Sequence, residues 1–271
     1  MAGQKQSKDR SGAGDPLRTL ELLWRPRASG TPGGVADRPA KGDGPKQRGP
    51  KQRSSVDAVV RAAIAIADAE GIGALTMRRV AGELGLTPMA TYTYVPGKAE
   101  LIDLMLDEVY AEMDRADLTG QPWQERVTRV AAENRTLLTE HPWVAYLPTT
   151  RPPLGPGQAA KYDHELQAFD GLGLDDITMD AALTFVLGFV TSVARIAIDT
   201  ERAAADSTMT DQQWWDQARP LLAQVFDADR YPLAARVGTA AGAAHGSAHS
   251  AEYAYEFGLA RVLAALTPLV R

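Results

Sequence analysis

The amino-acid sequence predicts an all-α fold. From Val56 onward, apolar residues such as Val59, Val60 and Ala63 recur at the three- and four-residue spacing of an amphipathic helix. Residues typical of helix caps, and glycines and prolines typical of helix ends, divide the rest of the chain into segments of helical length. No stretch alternates apolar and polar residues with β-branched enrichment, so we expect no sheet.

The composition is that of an ordinary soluble protein. Of 271 residues, 45% are hydrophobic and 23% are charged, and the formal net charge is −5. The absence of cysteine excludes disulfides, zinc–thiolate sites, iron–sulfur clusters and thiol catalysis. The apolar stretch 181–198 is interrupted by Thr184, Thr191, Ser192 and Arg195, which favours a buried helix over a membrane span. No secretory signal is recognisable, so a cytoplasmic location is expected.

The charge is unevenly distributed. Residues 1–53 carry 12 Lys+Arg and 5 Asp+Glu, which leaves 17 and 29 for residues 54–271. This basic, Gly/Pro-rich arm is expected to be disordered by itself. It contains the tandem repeat Gly-Pro-Lys-Gln-Arg at 44–48 and 49–53, whose cations can follow a DNA minor groove. The alternative is a solubilising tail. The expected DNA contacts are Lys46, Arg48, Lys51 and Arg53.

A short helix is predicted inside the arm. Asp15 and Pro16 are typical of a helix start, and Leu17, Leu20 and Trp24 share helical spacing. About ten residues are too few for a stable isolated helix. The sequence leaves open whether this segment docks on the folded body.

Residues 54–98 are predicted to form a helix-turn-helix domain. The first helix starts at Val56 and ends at Gly71, and Thr76 caps a second that ends at Gly85. Thr87 caps the third helix. A longer helix is predicted at 98–114, and the remaining domain is predicted to cover 99–271. The later helices are expected at 122–140, near Trp143, and at 156–172, 179–202, 211–226 and 249–266, with a mobile loop at 238–250.

The third helix has the side chains expected of a helix that enters a major groove. Its exposed residues are short, and Met89 and Ala90 can touch thymine methyls. The hydroxyl of Tyr92 can reach a phosphate, and Lys98 adds a cation. Arg78 is the strongest candidate for base readout, because a guanidinium can bind guanine through two hydrogen bonds.

Two segments resemble the N-terminal signature of tetracycline-repressor-type (TetR family) regulators. They are residues 78–87 (Arg-Arg-Val-Ala-Gly-Glu-Leu-Gly-Leu-Thr) and 92–98 (Tyr-Thr-Tyr-Val-Pro-Gly-Lys), followed by Leu101. A weaker resemblance to the family's C-terminal domain lies in 141–143 and 257–263. The sequence departs from the family at Thr91, where an apolar residue, commonly Leu, is usual, and at Thr93, where a larger residue is usual. The resemblance implies that the DNA-contacting residues are Thr76, Arg78, Thr87, Met89, Ala90, Tyr92, Tyr94 and Lys98. The alternative is a helix-turn-helix used only for protein contacts.

The C-terminal half is expected to dimerise. Two recognition helices about 34 Å apart are needed to read a palindrome. The resemblance implies a four-helix bundle formed by 179–202 and the last helix with their counterparts. The alternative is that both helices belong only to the monomer core. The expected interface stripe is Tyr255, Leu259, Val262, Leu263 and Leu266.

The central helices are expected to bind a small molecule. Aromatic residues there can line a cavity, although each by itself can equally be core packing. Arg195 lies in an apolar run, and a buried guanidinium there needs either a ligand or an ion pair with Glu133, Asp199 or another helix. His141 precedes a proline, where a capping role is the alternative. The expected ligand-binding residues are His141, Trp143, Tyr146, Tyr162, Phe169, Phe185, Phe189, Arg195 and Trp214.

No pattern supports an enzyme, a cofactor or a metal site. The sequence lacks a Walker loop and a nucleophile elbow, and His164-Glu165 lacks the second histidine of a zincin motif. His245 and His249 fall in or beside the predicted loop. The predicted function is a dimeric, ligand-responsive repressor that a small molecule releases from a palindromic DNA operator. The alternative is a helical small-molecule-binding protein or enzyme whose N-terminal unit no longer reads DNA.

Overall fold

The computed structural model describes residues 10–26, 55–245 and 250–270, and over these residues the chain is helical without strands. This confirms the predicted all-α class. The basic repeat that contains Lys46, Arg48, Lys51 and Arg53 lies outside the described residues, as does His249. The helices are α1 Pro16–Leu23, α2 Val56–Glu70, α3 Met77–Glu83, α4 Pro88–Tyr94, α5 Lys98–Glu112, α6 Trp123–Glu140, α7 Pro156–Leu166, α8 Asp176–Asp206, α9 Asp211–Val225, α10 Pro232–His245 and α11 Ala251–Leu266.

The chain divides into two compact units. The first comprises Met1–Met113 and Leu147–Tyr162, and the second comprises Asp114–Tyr146 and Asp163–Arg271. Helices α1 to α5 therefore belong to the first unit, and α6, α8, α9, α10 and α11 belong to the second. The division of the chain into domains 1–53, 54–98 and 99–271 stays a prediction.

The first unit is built around α2 and α5. The side chain of Ser55 caps α2 by accepting a hydrogen bond from the backbone N–H of Ala58, and Gly71 ends the helix with a φ of 80° that favours glycine. The predicted apolar stripe of α2 is buried, with Val59 and Ala63 both at 0% exposure. This stripe packs against α5 and α3 and supports the helix-turn-helix.

Helix α1 docks on the first unit, which answers the question that the sequence left open. Leu23 is 1% exposed, and α1 packs against α5. The predicted stripe was wrong in detail, because Leu17 is 73% and Trp24 60% exposed. The buried side is instead the row that contains Thr19 and Leu23, one turn apart.

Hydrogen bonds hold the N-terminal segment in place. The Ser11 hydroxyl donates to Asp103 Oδ1 (2.6 Å), and the indole N–H of Trp24 donates to the carbonyl of Leu154 (2.8 Å). Arg25 forms an ion pair with Asp57 near the start of α2. The chain on both sides of the basic stretch 27–54 is thus attached to the same unit.

The second unit has α8 at its centre. This 31-residue helix packs against α6 and α11, with buried residues such as Ala182, Val186 and Val190 four residues apart. By length and apolar composition alone α8 is long enough to cross a membrane, but its buried row packs against the neighbouring helices of its own unit.

Helix α10 corrects the predicted loop at 238–250. The glycine–alanine run is helical as far as His245. Alanine has the highest intrinsic helix propensity, and here it outweighs the cost of Gly238 and Gly242. The absence of bulky apolar residues leaves this part of α10 exposed without preventing the helix.

Candidate nucleic-acid interface and effector site

Helices α3 and α4 form the helix-turn-helix. The backbone N–H of Leu86 donates to the carbonyl of Ala81 (2.8 Å), and Gly85 adopts a φ of 64° in the turn. The Thr76 hydroxyl accepts from the Arg79 N–H (3.1 Å) and the Thr87 hydroxyl accepts from the Ala90 N–H (3.2 Å). Each helix therefore starts with a side-chain cap, as the sequence predicts.

The outer face of α4 carries short or apolar side chains. Met89 is 75% exposed, Tyr92 is 44% exposed, and Ala90 and Tyr94 are half-buried. This surface has no charged group, so its backbone can approach a groove floor closely. The face that the sequence assigned to base contact is thus the face that the fold exposes.

Thr91, one of the departures from the family pattern, lies in the core. It is 0% exposed, and its hydroxyl donates to the Thr87 carbonyl (3.4 Å). The Thr93 hydroxyl donates to the Ala90 carbonyl (2.6 Å). Both hydroxyls are satisfied within α4, so neither leaves an unpaired polar group against the supporting helices.

Two neighbouring arginines on α3 differ in their surroundings. Arg79 is bound to Glu70 (2.7 Å) and lies near Glu83 (3.5 Å). The hydrogen bond from Arg79 to Glu70 raises the pKa of Arg79. Arg78 is exposed and has no such ion pair among the described residues. Arg78 is therefore the α3 cation that is available for a ligand.

Lys98 opens α5 at the edge of this surface. It is half-buried, and its Nζ donates to the carbonyl of Ile72 at 3.5 Å. The ammonium group has three donors, and Lys98 stays a candidate phosphate contact.

The candidate ligand-binding aromatics have different surroundings. Trp143 and Phe169 are buried in the second unit, at 1% and 2% exposure. Phe185 and Trp214 are about half exposed, and Tyr162 belongs to the first unit. The ligand-binding set stays a prediction. His141 follows α6 as its C-cap, which supports the capping alternative, and its ring lies 6.3 Å from that of Trp143.

Arg195 is exposed, which corrects the expectation of a buried guanidinium. Its Nε donates to the carbonyl of Ala145, and its guanidinium lies 5.8 Å from the centre of the Tyr146 ring. The Tyr146 hydroxyl donates to Asp199 (2.5 Å), and Arg202 lies over the same ring at 5.1 Å. The apolar run 181–198 suggested a helix that is buried on all sides. Helix α8 instead has a solvent-exposed face, and Arg195 lies on that face.

A buried polar cluster between α6 and the end of α7 was missed by the sequence analysis. His164 Nε2 lies 2.8 Å from Glu133 Oε2, and the Asn134 amide donates to Glu165 (2.6 Å). Asn134 and Glu165 are at most 5% exposed. Polar residues at buried helix positions were the available signal, but their partners are about 31 residues away and invisible in local spacing.

The predicted interface stripe on α11 is buried within one chain. Tyr255, Leu259, Val262 and Leu266 are at most 9% exposed, and Leu263 is half-buried. They face α8, which supports the alternative that this stripe is monomer core. Large apolar residues on the outer face of α11, Tyr253 and Phe257, are more than half exposed.

Metal-ligating side chains are not clustered in the described part of the chain. No group of three or more His, Asp or Glu there can hold a metal ion. The second unit instead offers hydrogen-bonding groups and aromatic rings, which suit an organic ligand.

Comparison with known proteins finds one matching family and two similar transcriptional regulators. Residues 117–269 match the family described as "Tetracyclin repressor-like, C-terminal domain". The chain is 36% identical over 269 residues to the HTH-type transcriptional repressor DrrR1 of Streptomyces coeruleorubidus, covering 99% of this chain and 92% of that protein. It is 31% identical over 207 residues to an HTH-type transcriptional regulator of Saccharopolyspora erythraea, covering 74% and 85%.

The fold is also similar to that of a solved regulator. The TetR family protein ActR of Streptomyces coelicolor, in complex with actinorhodin, superimposes with a TM-score of 0.66 at 25% sequence identity. The match covers 81% of this chain and 98% of ActR. The structure of ActR in complex with (S)-DNPA gives a TM-score of 0.62 at 26% identity, over 79% and 98% of the two chains.

Proposed function

Because this chain belongs to the tetracycline-repressor-like family of transcriptional regulators, we propose that it is a dimeric repressor that a small molecule releases from a palindromic operator. The exposed face of α4 carries the DNA-binding part of the proposal. Small and apolar side chains there suit a groove floor edged by phosphates, and Arg78, which has no ion pair among the described residues, lies on the preceding helix.

Each candidate DNA-contacting residue of the helix-turn-helix and its edge is assigned a role. Met89 and Ala90 touch bases, and Arg78 binds a guanine edge. Tyr92, Tyr94 and Lys98 contact phosphates, as do the helix N-termini at Thr76 and Thr87. The residues of the basic repeat, Lys46, Arg48, Lys51 and Arg53, add contacts in the flanking minor groove.

Dimerisation uses the outer faces of α8 and α11. Since the inner stripe of α11 is already buried by α8, the second copy has to contact other residues. Phe185 on α8 and Tyr253 and Phe257 on α11 supply exposed aromatic surface for such a contact. The two helix-turn-helix units of the dimer, related by two-fold symmetry, then read two half-sites.

The effector binds among the helices of the second unit. ActR, which this chain resembles in fold and sequence, has been solved in complex with actinorhodin. An aromatic effector suits the aromatic residues of α8 and α11. Its binding changes the distance between the two helix-turn-helix units of the dimer. Effector and operator weaken each other's binding by the same factor. The protein acts by binding, without catalysis, in the cytoplasm.

Selection of bound sequences from random duplexes tests the proposal. The full chain is expected to enrich a palindrome with half-sites about one helical turn apart. If no sequence is enriched, the result would instead support the alternative, a helical small-molecule-binding protein whose helix-turn-helix does not read DNA.

A further inference from the structure

Residues 10–26, which we call the N-terminal strap, connect two parts of the first unit. The Ser11 hydroxyl donates a hydrogen bond to Asp103 on α5 (2.6 Å), and the Ser11 backbone N–H donates to the carbonyl of Pro148 (3.3 Å). The backbone N–H of Gly12 donates to the same carboxylate of Asp103 (3.0 Å). A single residue of the strap, Ser11, therefore binds both α5 and the segment that contains Pro148.

Gly12 allows the strap to pack closely against Arg151. Its φ of 67° lies in the left-handed region, and a Cβ atom there would lie 2.6 Å from the Cβ atom of Arg151. Ser11 is 1% exposed and Asp103 is 2% exposed, so solvent is excluded from their hydrogen bond. A side chain at position 12 would push the strap away from Arg151, because the position of a Cβ atom is fixed by the backbone.

The strap also binds near the starts of α5 and α2. The Asp15 backbone N–H donates to Glu100 Oε1 (3.1 Å) in the first turn of α5, two residues after the candidate phosphate contact Lys98. Arg25 forms an ion pair with Asp57 in the first turn of α2. The strap therefore holds the starts of the two helices around which the first unit is built.

We infer that the strap is a regulatory device, in which docking of the strap and binding of the operator stabilise each other. The inference rests on the proposed function, since it names a regulation of the same DNA-binding surface. A helix-turn-helix whose supporting helices are held in one geometry has less freedom to lose when it binds. The docked form binds the operator more tightly, and operator binding stabilises docking by the same factor, because coupling is reciprocal.

Hydrogen exchange of the full chain, free and bound to the selected palindrome, tests this coupling. The backbone N–H groups of Ser11, Gly12 and Asp15 are hydrogen-bonded in the docked strap, so their exchange rates report docking. In the wild type, a saturating concentration of the palindrome should slow their exchange at least about fivefold.

Gly12→Ala should undock the strap through the close contact with Arg151. We expect faster exchange of the strap N–H groups in the free chain and weaker binding of the palindrome. The loss of affinity should be no larger than the factor by which the palindrome slows exchange in the wild type. The matched control is Gly120→Ala in the second unit, where φ is 72° and nothing lies within 4 Å of an added Cβ atom. It should change neither the strap exchange nor the affinity.

A second variant keeps the test valid if Gly12→Ala fails to fold. Trp24→Phe removes the indole donor to the carbonyl of Leu154 (2.8 Å) from an exposed side chain, and should change exchange and affinity in the same direction.

Three results would overturn the inference and leave the proposed function standing. The first is that the palindrome leaves the strap exchange of the wild type unchanged. The second is that Gly12→Ala and Trp24→Phe speed the exchange but bind the palindrome as tightly as the wild type, which would make the strap purely structural. The third is that neither variant changes the exchange, because the named contacts would then not hold the strap. A chain that selects no palindrome would overturn the proposed function and the inference together.

Discussion

At the scale of single residues, Arg78 and Arg79 offer a test with an internal control. Arg78 is exposed and outside any described ion pair, whereas Arg79 is bound to Glu70. We expect Arg78→Ala to weaken operator binding by about 1 to 3 kcal/mol and to relax the preference at one base position, because a bidentate contact to guanine is lost.

The control variant is Arg79→Ala, which removes the same charge from the neighbouring position. Its loss of affinity should be smaller and equal on operator and random duplex, as measured by fluorescence anisotropy. If Arg78→Ala also loses equally on both duplexes, Arg78 contacts phosphates and does not read a base.

Local spacing predicted which residues of the helix-turn-helix are exposed better than it predicted the surroundings of the candidate effector-binding residues. Met89 and Tyr92 lie on a short helix between two clear caps, so local spacing determines which of their faces is exposed. The surroundings of Arg195 depend on which side of α8 meets α6 and α11, and that is set by residues far away in the chain. The same long-range pairing hides the Glu133–His164 contact from the sequence.

At the scale of elements, α1 shows how a helix too short to be stable alone gains stability by docking. Leu23 is 1% exposed, and we expect Leu23→Ala to lower the free energy of unfolding by about 2 kcal/mol or more. The matched control is Leu17→Ala on the same helix, 73% exposed, which should change it by less than about 0.5 kcal/mol. Urea unfolding measures both. Equal values would show that α1 does not dock.

Helix α5 carries a buried carboxylate that makes stability depend on pH. Burial raises the pKa of Asp103, although hydrogen bonds from Ser11 and Gly12 oppose that shift. A carboxyl with a raised folded pKa contributes fully below its unfolded pKa, and this contribution is lost as the pH rises through the folded pKa. The charge on Asp103 therefore costs stability at neutral pH.

We expect Asp103→Asn to be at least as stable as the wild type at about pH 8, because it keeps an acceptor for Ser11 and removes the charge. The difference should shrink as the pH falls through the raised pKa of Asp103, because the wild-type carboxyl becomes neutral there. Thermal unfolding at several pH values measures this. A variant that is less stable at pH 8, with a gap independent of pH, would contradict the account.

Helix boundaries were predictable where caps and glycines stand beside amphipathic stripes, as in α2, α3 and α4. They were not predictable in α10, because the absence of bulky apolar residues suggested a loop while alanine propensity favours a helix. The docking of α1 also depends on tertiary contacts, so the face formed by Leu17 and Trp24 was the wrong one.

At the scale of the whole molecule, the docked segment changes how the basic repeat has to be tested. Deleting residues 1–53 would also remove α1 and its contacts with α5. We therefore propose substituting glutamine for Lys46, Arg48, Lys51 and Arg53 in the full chain. Each cation that contacts a phosphate contributes about 0.9 to the salt slope, so the slope should fall by several units per dimer while the preferred palindrome is retained.

A control of equal charge change makes that result specific. Substituting glutamine for four exposed arginines of the second unit, Arg129, Arg219, Arg230 and Arg236, removes the same four charges elsewhere. This control should keep the wild-type salt slope. Equal slopes for the two variants would show that the repeat is a solubilising tail.

The central claim is that the exposed face of α4 reads a specific DNA sequence. The most direct measurement compares the affinity of the full chain for the selected palindrome with its affinity for a scrambled duplex of equal length, at one fixed salt concentration. We expect the palindrome to bind at least about 10³-fold more tightly than the scrambled duplex. Equal affinity for the two duplexes would contradict it.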